Sequence, residues 1–129
     1  MPWRMDLHTA MPFTALLGAS TVSAAPEEMR LDRAAGRCTA GGLLHGGALM
    51  GLADAAGGLC AYPNLPDGAT GTATTTSATS FLRAARKGHV EAVARPLHVG
   101  RTVIVVDTEL RDADGRLVGR TTQTQAVLS

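Results

Sequence analysis

The sequence predicts an α+β domain in which one apolar helix packs against a face of a curved antiparallel sheet. Two observations carry this. Gly46–Tyr62 is rich in Ala, Leu and Met, holds no β-branched residue and stops before Pro63, as a buried helix does. After it the chain turns to Thr- and Val-rich segments separated by turn signals, the pattern of successive strands.

A short amphipathic helix near the N-terminus precedes a first strand beginning near Ser20. Thr21 to Asp32 reads as two short extended pieces broken at Ala25-Pro26-Glu27-Glu28, and Arg33–Gly42 as a loop. The helix carries apolar residues all round, so most of its sides should be buried. A loop at Pro63–Gly68 leads to Thr70–Leu82, whose threonines suit a pleated surface. His89–Leu97 sets Val90, Ala92 and Ala94 on one parity against His89, Glu91 and Arg95 on the other. Thr102–Leu110 is a Val/Ile run, Asp112-Ala-Asp-Gly115 a hairpin turn, and Arg116–Leu128 the last strand. The expected order is short strands, one long helix, then a four-strand antiparallel meander.

At 129 residues, 45% hydrophobic and 18% charged, the chain suits one globular domain spanning residues 1–129. Aromatics are 3% (Trp3, Phe13, Tyr62, Phe81), so the core must be built from Ala, Leu, Val and Gly. A net charge of +1, scattered along the chain, argues against a nucleic-acid partner. Cys38 and Cys60 form no CxxC pair and read as two buried thiols in a reducing compartment, which places the protein in the cytoplasm. Arg4 followed by the apolar run Phe13–Ala25 has some look of a signal peptide, weakened by Asp6, Pro12, Thr14 and Ser20. Pairing of Ser20–Ala25 in a sheet would count against export. Gly41–Ala61 is long enough to span a bilayer but holds seven glycines, His45 and Asp54. A carboxylate at the bilayer centre costs about 2.5–3.5 kcal/mol, so a buried soluble segment is the better reading.

Within Gly41–Ala61 the strongly polar side chains are His45 and Asp54. Asp54, in Leu52-Ala-Asp-Ala-Ala56, is either paired, exposed at an edge, or used as general base or nucleophile. His45-Gly46-Gly47 stands where the helix starts. It is either a tight lead-in or a site where free backbone N–H groups receive an oxyanion. Gly46 and Asp54 lie eight residues apart, about 12 Å on a straight helix. A donor and a base acting on one carbonyl must both come within about 3 Å of it. If both are catalytic, the site joins Gly46 of one subunit to Asp54 of another. His8, His89 and His98 form no metal set by spacing, and the Asp-Ala-Asp-Gly turn lacks the further ligands of a calcium loop. The working expectation is a metal-independent enzyme.

Gly42-Leu-Leu-His-Gly-Gly-Ala-Leu-Met-Gly-Leu-Ala-Asp54 resembles the helix signature of hotdog-fold acyl-CoA thioesterases. Phe81-Leu-Arg-Ala-Ala-Arg-Lys-Gly88, Pro96-Leu-His-Val-Gly-Arg101 and the hairpin fall where that family has its sheet motifs. The likeness runs from about Ala25 to the C-terminus and is nearest to the phenylacetate-pathway, 4-hydroxybenzoyl-CoA and enterobactin-proofreading thioesterases. It implies a curved antiparallel sheet wrapped round one long central helix, and hydrolysis of an aryl or short-to-medium acyl-CoA. It implies that Asp54 acts across a dimer interface, that the Gly46 N–H polarises the thioester carbonyl, that His45 sits near sulfur or carbonyl, and that Thr74 stands beside the acid. Gly47, Phe81, Leu82, Arg83 and Ala84, with His98, Val99, Gly100 and Arg101, match substrate-contacting segments. Arg83 and Arg101 would face the phosphates of coenzyme A, which is part of the substrate; no separate cofactor is implied. The resemblance also implies a homo-oligomer, at least a dimer and often a tetramer.

There are departures. Thr39 stands where the family usually carries Asn or Gln, and Ala84 replaces a common Pro. Asp as the acid matches the phenylacetate branch. Thr39 motivates a rival reading, a non-catalytic acyl-CoA binding or regulatory module. Met50, Leu59 and Tyr62 are candidates for the acyl pocket.

Overall fold

The computed structural model describes residues 7–22 and 28–129. Two short helices, α1 (Leu7–Ala10) and α2 (Pro12–Leu17), precede β1 (Ala19–Thr21) and β2 (Glu28–Asp32). Then come the long helix α3 (Gly46–Ala61) and strands β3 (Gly71–Phe81), β4 (His89–Val99), β5 (Val103–Asp112) and β6 (Leu117–Leu128). The predicted helix and four later strands are all present within a residue or two.

Local chemistry explains the joints. Pro12 opens α2, where its missing N–H is no loss, and Gly18 closes it at φ 85°. Asp112 and Gly115 form the predicted hairpin, with Gly115 N–H donating to the Asp112 carbonyl at 2.9 Å. The Asp112 carboxylate accepts from the backbone of Arg116 and Asp114 and from the Arg116 guanidinium. These bonds, led by the Arg116 N–H, hold its carboxyl below the usual range.

All pairings are antiparallel, in the order β1-β2-β4-β5-β6-β3. This corrects the expected meander. β4, β5 and β6 do run consecutively, but β3 lies beside β6 at the far edge, and β4 pairs instead with β2. Burial decides the difference. β4 buries Val90, Ala92 and Ala94 and belongs in the middle, whereas Thr-rich β3 is exposed along most of its length and suits an edge. Bulges at Thr74/Thr76, Pro96/His98 and Leu110/Arg111 bend the strands, and the sheet packs round α3 from β2 to β6.

The core is Leu49, Leu52, Ala53, Ala56 and Leu59 of α3 against Met29, Leu31, Val90, Ile104, Val106, Leu110 and Val118. Among the described residues it contains no aromatic ring, as the composition required. Cys60 is buried, but Cys38, which forms a bridge with Leu44, is only half-buried; neither is in a disulfide among the described residues. The expected pair of buried thiols is thus one buried and one partly open.

Ser20 and Thr21 pair with Arg30 and Met29 at the sheet's end, whereas Ser23–Ala25 and the break at residues 25–27 lie outside the described residues. Glu28 belongs to β2 and not to the break. Among the described residues no helix is long and apolar enough to cross a membrane.

Candidate active site

The loop before α3 is folded back on itself. Thr39 N–H donates to Leu43 and Gly42 N–H to Thr39, making a tight exposed turn, and His45 N–H donates to the Arg37 carbonyl. His45 is the N-cap of α3: its Nδ1 accepts the Gly47 N–H at 2.9 Å. An accepting Nδ1 carries no proton, so the neutral ring holds its proton on Nε2. A Cβ on Gly47 would stand 3.1 Å from that Nδ1, which is why a glycine follows the cap.

The cap treats the first-turn N–H groups unequally. Gly47 N–H goes to the His45 ring and Ala48 N–H to the His45 carbonyl, whereas Gly46 N–H finds no acceptor among the described residues. A Cβ on Gly46 would lie 3.2 Å from the Phe81 ring, so a glycine lets that ring lie close over the helix end. Phe81 arrives there because β3 ends at the α3 N-terminus. Leu82 and Arg83 N–H donate to Val118, and the Ala85 carbonyl accepts the Leu44 N–H at 3.0 Å. Beside the turn, His45, Gly47, Arg37, Leu17 and Phe13 border a cavity of about 330 Å³.

Asp54 lies two helical turns further on and is exposed, so the edge alternative for this carboxylate is realised in the single chain. Among the described residues no cation pairs with it. Its Oδ1 accepts from Thr74 Oγ1 at 3.0 Å and from Gln123 Nε2 at 3.1 Å. Thr74 Oγ1 in turn accepts from Gln125 Nε2 at 2.8 Å and Gln123 Nε2 at 3.3 Å. With amide donors supplying its lone pairs, the Thr74 hydroxyl has its proton aimed at Asp54. Oδ2 receives no hydrogen bond among the described residues.

The two glutamines are almost fully buried, and Gln123 Oε1 has no partner among the described residues. It packs on Gly57, where a Cβ would overlap it. Sequence reading missed Gln123, Gln125 and Gly57. The available signal was parity: Thr121, Gln123 and Gln125 alternate with Arg120, Thr122 and Thr124, and buried amides in a strand need polar partners.

Other expected residues divide into two places. Phe81, Leu82, Arg83 and Ala84 gather by the helix N-terminus. Arg83 also borders a cavity of about 530 Å³ with Arg86, Lys87, Arg116, Asp112 and Asp114. His98, Val99, Gly100 and Arg101 sit at the opposite end of the sheet. Val99 shares a row with Ile104 and Gln125, while Phe81 shares one with Gly119, about 20 Å away along the strands. One chain does not bring these segments together. Gly100 closes the β4–β5 turn, its N–H donating to Val103, and Arg101 lies by Pro66–Ala69. Of the acyl-pocket candidates, Leu59 and Tyr62 border a cavity with Met11, and Met50 does not. Among the described residues no three His, Cys, Asp or Glu side chains come together as a metal site.

Comparison with known proteins agrees with this geometry. Residues 41–119, from the loop before α3 into β6, match the model of the thioesterase superfamily. A proofreading thioesterase of Cronobacter sakazakii is 40% identical over 75 residues, which is 58% of this chain and 54% of that protein. The chain's match thus spans about half the length of such curated relatives. The crystal structure of a mutant thioesterase from Pseudomonas aeruginosa superposes with a TM-score of 0.85 at 29% identity, over 95% of this chain and 91% of that one. A Bacillus halodurans protein solved with CoA gives 0.82 at 25% identity, over 90% and 75%. The hotdog architecture and the extent of the family match agree, and the chain belongs to the thioesterase superfamily.

Proposed function

We propose that the chain works as one hotdog domain that hydrolyses acyl-CoA thioesters, with each site shared between two copies in a homo-oligomer, a dimer at least and by family habit a tetramer. The observation that carries this reading is the division of labour on α3. A carboxylate with one oxygen held and the other open stands about 12 Å along a continuous helix from an unsatisfied N–H. Neither group completes the chemistry within its own chain, and each is what the other lacks.

In the proposed reaction the thioester carbonyl oxygen accepts a hydrogen bond from the Gly46 N–H of the partner subunit and takes up negative charge as the carbon becomes tetrahedral. Asp54 Oδ2 removes a proton from water as its oxygen bonds to that carbon. Collapse breaks the C–S bond, and the carboxyl proton passes to the departing CoA sulfur. The same oxygen could instead attack directly, giving a mixed anhydride that water opens. Single turnover in ¹⁸O water tests the choice: label appearing first in the Asp54 carboxylate supports direct attack. His45, whose Nδ1 caps that helix end, would serve sulfur or carbonyl through its Nε2–H. Thr39 and Gly47 would line the approach. Arg83 of one copy and Arg101 of another would meet the CoA phosphates from opposite ends of the sheet, which suits a ligand laid across a subunit boundary. The solved relative with bound CoA supports the ligand class. Cys38 and Cys60, which form no disulfide among the described residues, favour a cytoplasmic setting, and no cofactor beyond the substrate's own CoA is invoked.

A panel of aryl and alkyl acyl-CoAs tests the reading. Asp54→Asn should lower turnover about a hundred- to ten-thousand-fold with assembly intact; near-normal turnover would sink it. The rival, acyl-CoA binding without hydrolysis, rests on Thr39, whose exposed turn offers no amide. Calorimetric binding of a CoA thioether without turnover of any panel member would favour that rival.

A further inference from the structure

The glycines of α3 divide by what their neighbours demand. Gly46 admits Phe81, Gly47 admits the His45 ring, Gly51 lies under Leu17 and Phe13, and Gly57 admits Gln123. Gly58 is different: among the described residues, a Cβ there would meet nothing within 4 Å. It sits inside the helix with no positive φ, so alanine would fit and would stabilise the helix. Nothing in the packing of the described residues accounts for the glycine.

Gly58 follows Asp54 by one helical turn and borders two adjoining cavities. The first, about 330 Å³, contains Asp54, Thr74, Met11 and Phe13. The second, about 300 Å³, continues past Met11 to Leu59 and Tyr62. Met11, Gly58 and Thr72 are common to both, so Gly58 forms the floor of the passage between them. The roof comes from Met11 and Phe13, outside the residues 41–119 that match the family model.

We infer that Gly58 sets acyl-group size: the acyl part runs from the carbonyl at Asp54, over Gly58 and under Met11, toward Tyr62. The distance from Asp54 to Gly58 is about 6 Å along the helix, so a short acyl group ends at the passage and a longer chain or aromatic ring must cross it. The inference rests on the acyl-CoA reading of the Asp54 site. It deepens that reading by naming an apolar acyl group, selected by length and bulk, and the residue that selects it.

The test compares wild type, Gly58→Ala and Gly58→Leu. Calorimetry measures binding of S-methyl-, S-hexyl-, S-decyl- and S-benzyl-CoA thioethers, and turnover is measured on acetyl-, hexanoyl-, decanoyl- and benzoyl-CoA. Gly58→Ala should melt a few degrees higher than wild type. Gly58→Leu should weaken the hexyl, decyl and benzyl ligands about ten-fold or more, with the methyl ligand within about three-fold, and turnover should follow the same order. An equal change at every length, no change at any length, or a changed sedimentation coefficient with no length dependence would overturn the inference. The last result would mean that the glycine makes room for a second copy. Failure of the hydrolysis reading is separately visible: thioethers would then bind with length dependence lost in Gly58→Leu, while no thioester turned over. Wild type that binds none of the thioethers would overturn both.

Discussion

The first turn of α3 and its third turn carry opposite kinds of chemistry. At His45–Gly47 the proposed functional group is backbone, and it is available because side chains are absent: glycines admit the Phe81 and His45 rings, and the cap leaves one N–H without an acceptor among the described residues. At Asp54–Gly58 the proposed functional group is a side chain supported by buried amides from β6 and a hydroxyl from edge strand β3. The helix end needs only local sequence. The carboxylate needs two strands, β3 and β6, in register with the helix, which ties its chemistry to the sheet.

The difference can be broken first at the helix end. Gly46→Pro removes the N–H while keeping a residue suited to the first helical position, and His45 already has the extended backbone that precedes proline (φ −65°, ψ 136°). Turnover should fall about a hundred- to a thousand-fold. Gly46→Ala, which keeps the N–H and merely crowds Phe81, should retain far more activity. Equal losses would assign the effect to crowding.

At the third turn, Gln123→Leu keeps roughly the shape and removes the donor to Asp54 Oδ1. Because it also removes the buried, unpartnered Oε1, the melting temperature should stay within a few degrees. kcat should fall about ten-fold with KM little changed. Gly57→Ala, by contrast, forces Gln123 out of place and should lower both stability and kcat.

The smallest effect lies away from both turns, at the β5–β6 hairpin. Asp112 has a folded carboxyl value held below its ordinary 3.8, first by the Arg116 N–H. A depressed value contributes stability that is complete above the ordinary value and is lost as pH falls through the folded one. Asp112→Asn should therefore melt lower than wild type at neutral pH, and the two should converge in acid below the ordinary value. A constant gap across that range would contradict the assignment.

Much of this was legible in the sequence. α3 announced itself by composition, Asp54 by being a lone carboxylate among alanines, and the Asp112 hairpin by its turn residues. The position of β3 was not legible, because the pairing of β3 with β6 and β4 with β2 is a choice among partners that no local pattern encodes. Gln123 and Gln125 look like solvent-facing residues until register shows that they share the inner face with Thr74. The roof of Met11 and Phe13 was hidden for a similar reason, since only the fold brings α2 over Gly51.

The central claim is that one site is built from two copies, and mixing inactive variants tests it most directly. Asp54→Asn supplies an intact Gly46, and Gly46→Pro supplies an intact Asp54. After subunit exchange, half of the sites in each mixed dimer pair the two intact groups, so activity should recover to about a quarter of wild type. Exchange confirmed by native mass spectrometry, with no recovery above the separate variants, would contradict the account.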